Sequence, residues 1–461
     1  MRVGTTVPEF SVTDRRVTVV GAARSGVAAA GLLAARGARV TLTDLRPHID
    51  DEARLREAGV TLALGGHPAS AFETAELIVL SPGVPGDQPQ VAAARRAGVP
   101  VIGELELASR WLRGRLIAIT GTKGKSTTTA LTGRLLQAAG RHALVGGNIG
   151  VPLSAQVAES TPETLHVVEA SSFQLEETGT FHPWIAVLLN LSTDHLDRHG
   201  TVEAYTRAKA RIFANQTADD WAVVNADDPA ALELARRGRA RTVRFSMMAP
   251  LDEGFTVAGS AIARVDAGGT TPLVPLSAVH LLGRHLVADV LAAAAVGWIA
   301  GVPPAVMTAA VDGFQGLEHA MEPAGTVAGV RFVNDSKATN IEAARRAIES
   351  FDRGLVPILG GRFKGGDFRR LAGPLAGRAR AVVAIGEARP LVHEALDGRL
   401  PVHDAASLDE AVRLAFEAAR PDGTVLLAPA CASFDMFADY ADRGRRFKDA
   451  VRQLAAGLSG P

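Results

Sequence analysis

The chain has 461 residues, 47% apolar and 21% charged, and its 49 acids balance its 49 lysines and arginines. Those figures fit a folded protein of two to four domains, and they exclude intrinsic disorder or a basic block for nucleic acid. The N-terminal MRVGTTVPEFSVTDRR has no apolar signal segment, no apolar run is long enough to span a bilayer, and the single Cys431 rules out an internal disulfide; the expectation is a cytoplasmic protein.

In chain order, VTVVG, GVAAAGLLAARG, ARVTLTD and AELIVLSPG alternate β-type runs with Ala/Leu-rich helical stretches. This predicts a parallel sheet covered by helices. VVGAARSG carries Gly21 and Gly26, and Asp44 ends the second strand, an arrangement close to a dinucleotide fingerprint. Ala23 replaces the middle glycine and crowds a pyrophosphate, which favours another nucleotide-like ligand over NAD. Asp44 can hold a hydroxyl or imide N–H. SPGVP, from Ser81 to Pro85, reads equally as a rim loop or as a plain Pro/Gly turn.

From Leu116, LIAITGTKGKSTTTALTGRLLQAAG sets Gly121, Thr122, Lys123, Gly124, Lys125, Ser126 and Thr127 between an apolar strand and an amphipathic helix. Backbone N–H groups and a helix N-terminus in that setting cradle phosphate. The strict phosphate-loop pattern wants glycine where Ile119 stands, and a Gly/Ser turn is the structural alternative. Lys125 would reach the β- and γ-phosphates of ATP and Ser126 would take Mg²⁺. LHVVEASSFQLE ends a strand on Glu169, followed by Ser171 and Gln174, and PWIAVLLNLSTDHLDRHG does the same with Asn190, Asp194, His195 and Asp197. Glu169 is the natural carboxylate for magnesium. His195 alone would read as a cap, but beside Asp194 and after a phosphate loop it reads as functional.

Residues 240–280 look β-rich, and RFVNDS, LVPILGG, RAVVAIG and TVLLAPA form a third α/β pattern. The expected fold is α/β in three domains: a Rossmann-like domain at 1–103, a P-loop ATPase-type domain at 104–316 and a Rossmann-like domain at 317–461. The chain uses only six lysines (123, 125, 209, 337, 364 and 448) against 43 arginines. Lysine is therefore placed where a compact, reactive amine matters. Lys209, inside the helical AYTRAKARIF, is either a surface lysine or such an amine.

GTKGKST, VGGNIG, EASSFQLE, STDHLDRH, YTRAKARI, VNADD, NDSKATN, LGGRFK and APACASFD together resemble the Mur ligase family of peptidoglycan synthesis, in order and spacing along the whole chain. NDSKATN and PACASFD resemble its D-glutamate-adding branch. The resemblance implies a monomeric ligase using ATP and Mg²⁺. Its first domain would bind UDP-N-acetylmuramoyl-L-alanine and its third would bring D-glutamate to an acyl phosphate. It puts Ser25, Asp44, Arg46, Ser81, Gly83, Asn148 and Gln174 against the UDP substrate, and Asp335 and Lys337 against ATP. Thr339, Lys364, Ser433, Phe434 and Tyr440 would meet the amino acid. Lys125, Glu169, His195 and Lys209 would be catalytic, with Ser126, Glu169, His195 and a carbamylated Lys209 holding metal.

Three positions depart from the family pattern. Leu286 and Asp289 stand in place of two asparagines, and Ala320 in place of an arginine. Either Arg284 compensates or nucleotide affinity falls. A sibling ligase, a folylpolyglutamate synthetase-like enzyme, or a regulatory protein that binds ATP without turnover are the other readings of this sequence.

Overall fold

The computed structural model describes residues 10–192, 195–280 and 284–458. Short Val/Ile/Leu runs covered on both faces build the sheets, as parallel strands packed between helices require. The first sheet joins β1 (Arg16–Val20), β2 (Arg39–Asp44), β3 (Thr61–Leu64), β4 (Leu77–Leu80) and β5 (Val101–Gly103) in the order β3-β2-β1-β4-β5, all parallel. The second contains β6 (Arg115–Thr120), β7 (Ala143–Gly147), β8 (Leu165–Glu169), β9 (Ile185–Leu188), β10 (Trp221–Asn225), β11 (Arg241–Ser246), β12 (Gly254–Ala258), β13 (Ala261–Asp266) and β14 (Gly269–Pro275). Its order is β14-β13-β12-β11-β10-β9-β6-β8-β7, and β12 to β14 form an antiparallel meander where a β-rich stretch was expected.

The third sheet holds β15 (Glu322–Val327), β16 (Val330–Asn334), β17 (Leu355–Gly360), β18 (Val382–Ile385), β19 (Val402–Ala405) and β20 (Thr424–Leu427). Its order is β15-β16-β20-β17-β18-β19, with β15 antiparallel at the edge. Residues up to 279 together with 288–311 form one compact unit carrying the first two sheets; residues 280–287 with those from 312 onward form a second unit carrying the third. Among the described residues no helix is long and apolar enough to cross a membrane.

Strand order fixes where ligands can enter. In an open parallel sheet, loops leaving the carboxyl ends of two neighbouring strands diverge where the order reverses, and a crevice opens there. In the first sheet that point lies between β1 and β4, in the second around β6 between β8 and β9, and in the third around β16, β20 and β17. At the first, a Cβ on Gly26 would lie 1.8 Å from the Gly21 carbonyl oxygen. The helix Arg24–Ala35 can approach its strand this closely only with glycine at that position.

Candidate functional site

The phosphate loop leaves β6, whose last five residues are buried, and enters the helix Lys125–Ala138. Gly124 caps that helix in the left-handed region, at φ 83°. Asn190, at the end of β9, clamps the loop: its Oδ1 accepts from Lys123 N at 2.9 Å and its Nδ2 donates to Lys123 O at 3.1 Å. Thr122 Oγ1 lies 2.9 Å from the Tyr205 hydroxyl and accepts from Ser192 N at 2.9 Å. The Lys125 amine folds over the loop, donating to the carbonyls of Gly121 and Thr122 at 3.0 Å each. Ser126 and Thr127 follow in the first helical turn, half-buried.

Lys209 reaches the same loop from below. It lies on the helix Val202–Ala210, is 1% exposed, and donates through Nζ to Gly121 O at 2.8 Å and Thr120 Oγ1 at 3.3 Å. The Tyr205 ring lies 4.8 Å from that amine. The surface reading of this lysine is therefore excluded.

Glu169 ends β8, beside β6. Its Oε1 accepts from Asn148 Nδ2 at 2.7 Å, while Oε2 is buried with no hydrogen-bond partner among the described residues. A buried, uncommitted carboxylate oxygen fits a hard divalent cation. His195 has φ 53°, caps the helix Leu196–His199 through its carbonyl, and sets its ring 4.9 Å from that of Phe173. Asp194 and the side chains of Asp197 and Arg284 lie outside the described residues. Among those described, no three His, Cys, Asp or Glu side chains converge as a metal cluster. Gln174 closes a capping box with Ser171 through its Oε1, which leaves its buried Nε2 unpartnered among the described residues.

On the first sheet, Asp44 is the anchor. Its Oδ2 accepts from Ala22 N at 2.6 Å, and its Oδ1 accepts from the backbone N and Nε of Arg46 at 2.9 Å each. Burial alone would raise this carboxyl, but the Arg46 guanidinium and the two backbone N–H groups hold it at about 2. Ser81 donates its hydroxyl to Gly21 O at 2.8 Å and so ties β4 to β1, rather than presenting a free donor. Gly83 is open on its Cβ side and Ser25 is half-buried in the first helical turn. Arg198 holds the SPGVP loop, donating to Pro82 O at 3.0 Å and Val84 O at 2.8 Å while stacking on Phe173. Ser81, Phe173, Gln174 and Arg198 line one small cavity. A wider groove of about 620 Å³, lined by Arg207, Phe213, Leu234 and Arg239 among others, includes none of the candidate residues.

On the third sheet, Asp335 follows β16, is 9% exposed and accepts from Met321 N at 3.1 Å. Burial lifts its carboxyl to about 7, against the pull of that N–H and of Lys337. Lys337 and Thr339 are half-buried on the same loop. The segments carrying Lys364 and Ser433 are zipped together by paired bonds between Arg362 and Ala432, at 2.9 and 3.0 Å. Lys364 is exposed, Ser433 buried, and Phe434 and Tyr440 present exposed rings. Fully buried Arg443 staples the loops after β16 and β20. It donates to Ser336 Oγ and Ser336 O at 2.9 Å and to Cys431 O at 3.2 Å, and burial draws its guanidinium down to about 10. Ala320 sits between His319 and Met321, both at positive φ, with no side chain able to reach an anion. Arg198 and Arg443 were not singled out in the sequence; only the position of Arg198 within STDHLDRH marked it.

Comparison with known proteins agrees with this layout. Residues 15–103 match the Mur ligase MurD-like N-terminal domain, 119–297 the Mur ligase middle domain and 321–431 the Mur ligase glutamate ligase domain. The UDP-N-acetylmuramoylalanine–D-glutamate ligase of Acidobacterium capsulatum is 47% identical, over 96% of this chain and 97% of that one. Its counterpart from Koribacter versatilis is 45% identical over 97% and 99%. The UDP-N-acetylmuramate–alanine ligase of Thermotoga maritima shares the fold, with a TM-score of 0.61 and 20% identity over 95% of this chain and 100% of that one.

Proposed function

This chain belongs to the Mur ligase family, and we propose that it is the ATP-dependent ligase that joins D-glutamate to the alanyl carboxylate of UDP-N-acetylmuramoyl-L-alanine in peptidoglycan precursor synthesis. The observation that carries this is 47% identity, spanning 96% of the chain, to a protein named for that reaction. The phosphate loop, the Asp44 anchor and the Lys364–Ser433 rim support the division of labour among ATP, UDP substrate and amino acid.

In the reaction, the alanyl carboxylate attacks the γ-phosphate to give an acyl phosphate, and the D-glutamate amine then displaces phosphate. The first step brings two anions together, which repel by about 4 kcal/mol at about 4 Å and an effective dielectric of about 20. Lys125, poised over the loop carbonyls, supplies one compensating charge at the phosphates. Magnesium, when bound, would supply the rest of the compensating charge at the phosphates. Glu169 through Oε2, Ser126 and His195 would hold it, with Lys209 as a carbamate adding a further oxygen ligand. Asp335 would hold the ATP ribose, and Lys337 and Thr339 would face the phosphate and the incoming amine. Lys364 and Ser433 would seat the D-glutamate carboxylates between Phe434 and Tyr440. Ser25, Arg46, Gly83, Asn148 and Gln174 would line the UDP substrate around Asp44. Such an enzyme would act in the cytoplasm, where ATP is supplied.

The test is an amino-acid panel scored by phosphate release with UDP-N-acetylmuramoyl-L-alanine as acceptor. D-glutamate is expected to exceed every other amino acid by orders of magnitude. D-glutamate no better than L-alanine would overturn the assignment.

A further inference from the structure

The departure at position 289 puts a carboxyl directly behind the phosphate loop. Asp289 lies on the helix Arg284–Ile299 and is 4% exposed. A Cβ on Gly124 would sit 2.1 Å from Asp289 Oδ1 and 2.9 Å from its Cγ. The loop backbone therefore rests against this carboxyl with no room between them. Asp289 Oδ2 is buried without a hydrogen-bond partner among the described residues, and the Thr128 hydroxyl, one turn into the phosphate-loop helix, acts on the same carboxyl.

We propose that Asp289 is a positioning residue for the phosphate loop, bracing Gly124 from behind and setting the loop's affinity for polyphosphate through its own charge. This rests on the phosphate-loop reading of the site. Burial drives the carboxyl well above its ordinary range, and the Thr128 hydroxyl and the Lys125 ammonium oppose that shift. Lys125 is the charged group acting on it from the facing helix; on its own helix, the side chains of Arg284 and His285 lie outside the described residues. An uncharged carboxylic acid has the shape of an amide and offers one donor and one acceptor, so it can stand where the family pattern has asparagine. Once ionised, it would set a negative charge behind the N–H groups that face phosphate and would offset Lys125. Affinity for polyphosphate should then fall as pH rises through the raised titration, about tenfold per pH unit beyond it at the limit of full exclusion.

The experiment is ADP binding by calorimetry to the full chain in EDTA, from about pH 6 to about pH 9, for wild type, Asp289→Asn and Asp289→Ala. Titration of ADP itself is common to all three proteins, so differences between them are read. Wild type should lose affinity relative to Asp289→Asn as pH rises, and Asp289→Asn should match it at the acid end and hold its affinity. Asp289→Ala should bind more weakly at every pH, because the brace is gone. A thermal melt at about pH 8 checks folding independently, and Asp289→Asn should melt above wild type there because folding no longer has to bury a carboxyl that is ionised in the unfolded chain. Asp289→Asn following the wild-type pH dependence, Asp289→Ala binding like wild type, or Asp289→Asn melting below wild type would each overturn the inference. No ADP binding by wild type at any pH would overturn the phosphate-loop reading along with it.

Discussion

Lys209 shows how far a single residue can be read from sequence. Its scarcity among 43 arginines marked it, and its amine is buried 2.8 Å from the phosphate-loop carbonyl of Gly121. A guanidinium is larger and cannot form a carbamate, so arginine would lack both the fit and the chemistry that the proposed carbamate needs. Lys209→Ala should lose most activity, and a short carboxylate such as acetate should restore part of it in steady-state assays. Wild-type turnover in Lys209→Arg would sink the carbamate. Ser81 shows what the sequence left unseen: its hydroxyl donates to Gly21 O and joins β4 to β1. Nothing local in SPGVP marks that partner, which is 60 residues distant.

At the scale of elements, the strand–loop–helix unit was legible because its parts are contiguous: an apolar run, glycines where the chain turns, then helical periodicity. What holds the unit was less so. Asn190 comes from another strand, and Asp289 from a helix far along the chain. Gly124 combines both demands, needing a left-handed backbone and having no space for a Cβ. Gly124→Ala should therefore cost more than the roughly 1–2 kcal/mol of left-handed strain and weaken ATP binding strongly. Gly59→Ala, also left-handed but with nothing within 4 Å of its Cβ, should cost about that strain alone and leave ATP kinetics unchanged. Thermal unfolding and the KM for ATP measure the contrast.

Across the whole molecule, buried acids give stability an unusual dependence on pH. Asp335 titrates near 7 in the fold and near 3.8 when unfolded. The folded state binds the extra proton between those values, so stability falls as pH rises from about 4 to about 7. The shift of about three units corresponds to an upper limit of about 4 kcal/mol. Asp44 and Glu342 are instead held at about 2; their contribution is present above about 4 and lost as pH falls toward 2. The thermal midpoint should peak on the acid side of neutrality. Asp335→Asn should melt above wild type at about pH 8 and converge with it near pH 4; parallel curves would contradict the burial argument.

The sequence by itself determined the α/β class, the family and the order of the ligand-bearing loops, because these depend on short-range periodicity and on motifs read within a dozen residues. The antiparallel meander of β12 to β14, the clamp by Asn190, the grip of Arg198 on SPGVP and the Arg443 staple were decided only by the tertiary structure. Each joins groups distant in sequence. Arg443 and Ser336, 107 residues apart, meet because the sheet order makes β16 and β20 neighbours, and a buried guanidinium there must find carbonyl and hydroxyl acceptors to replace water.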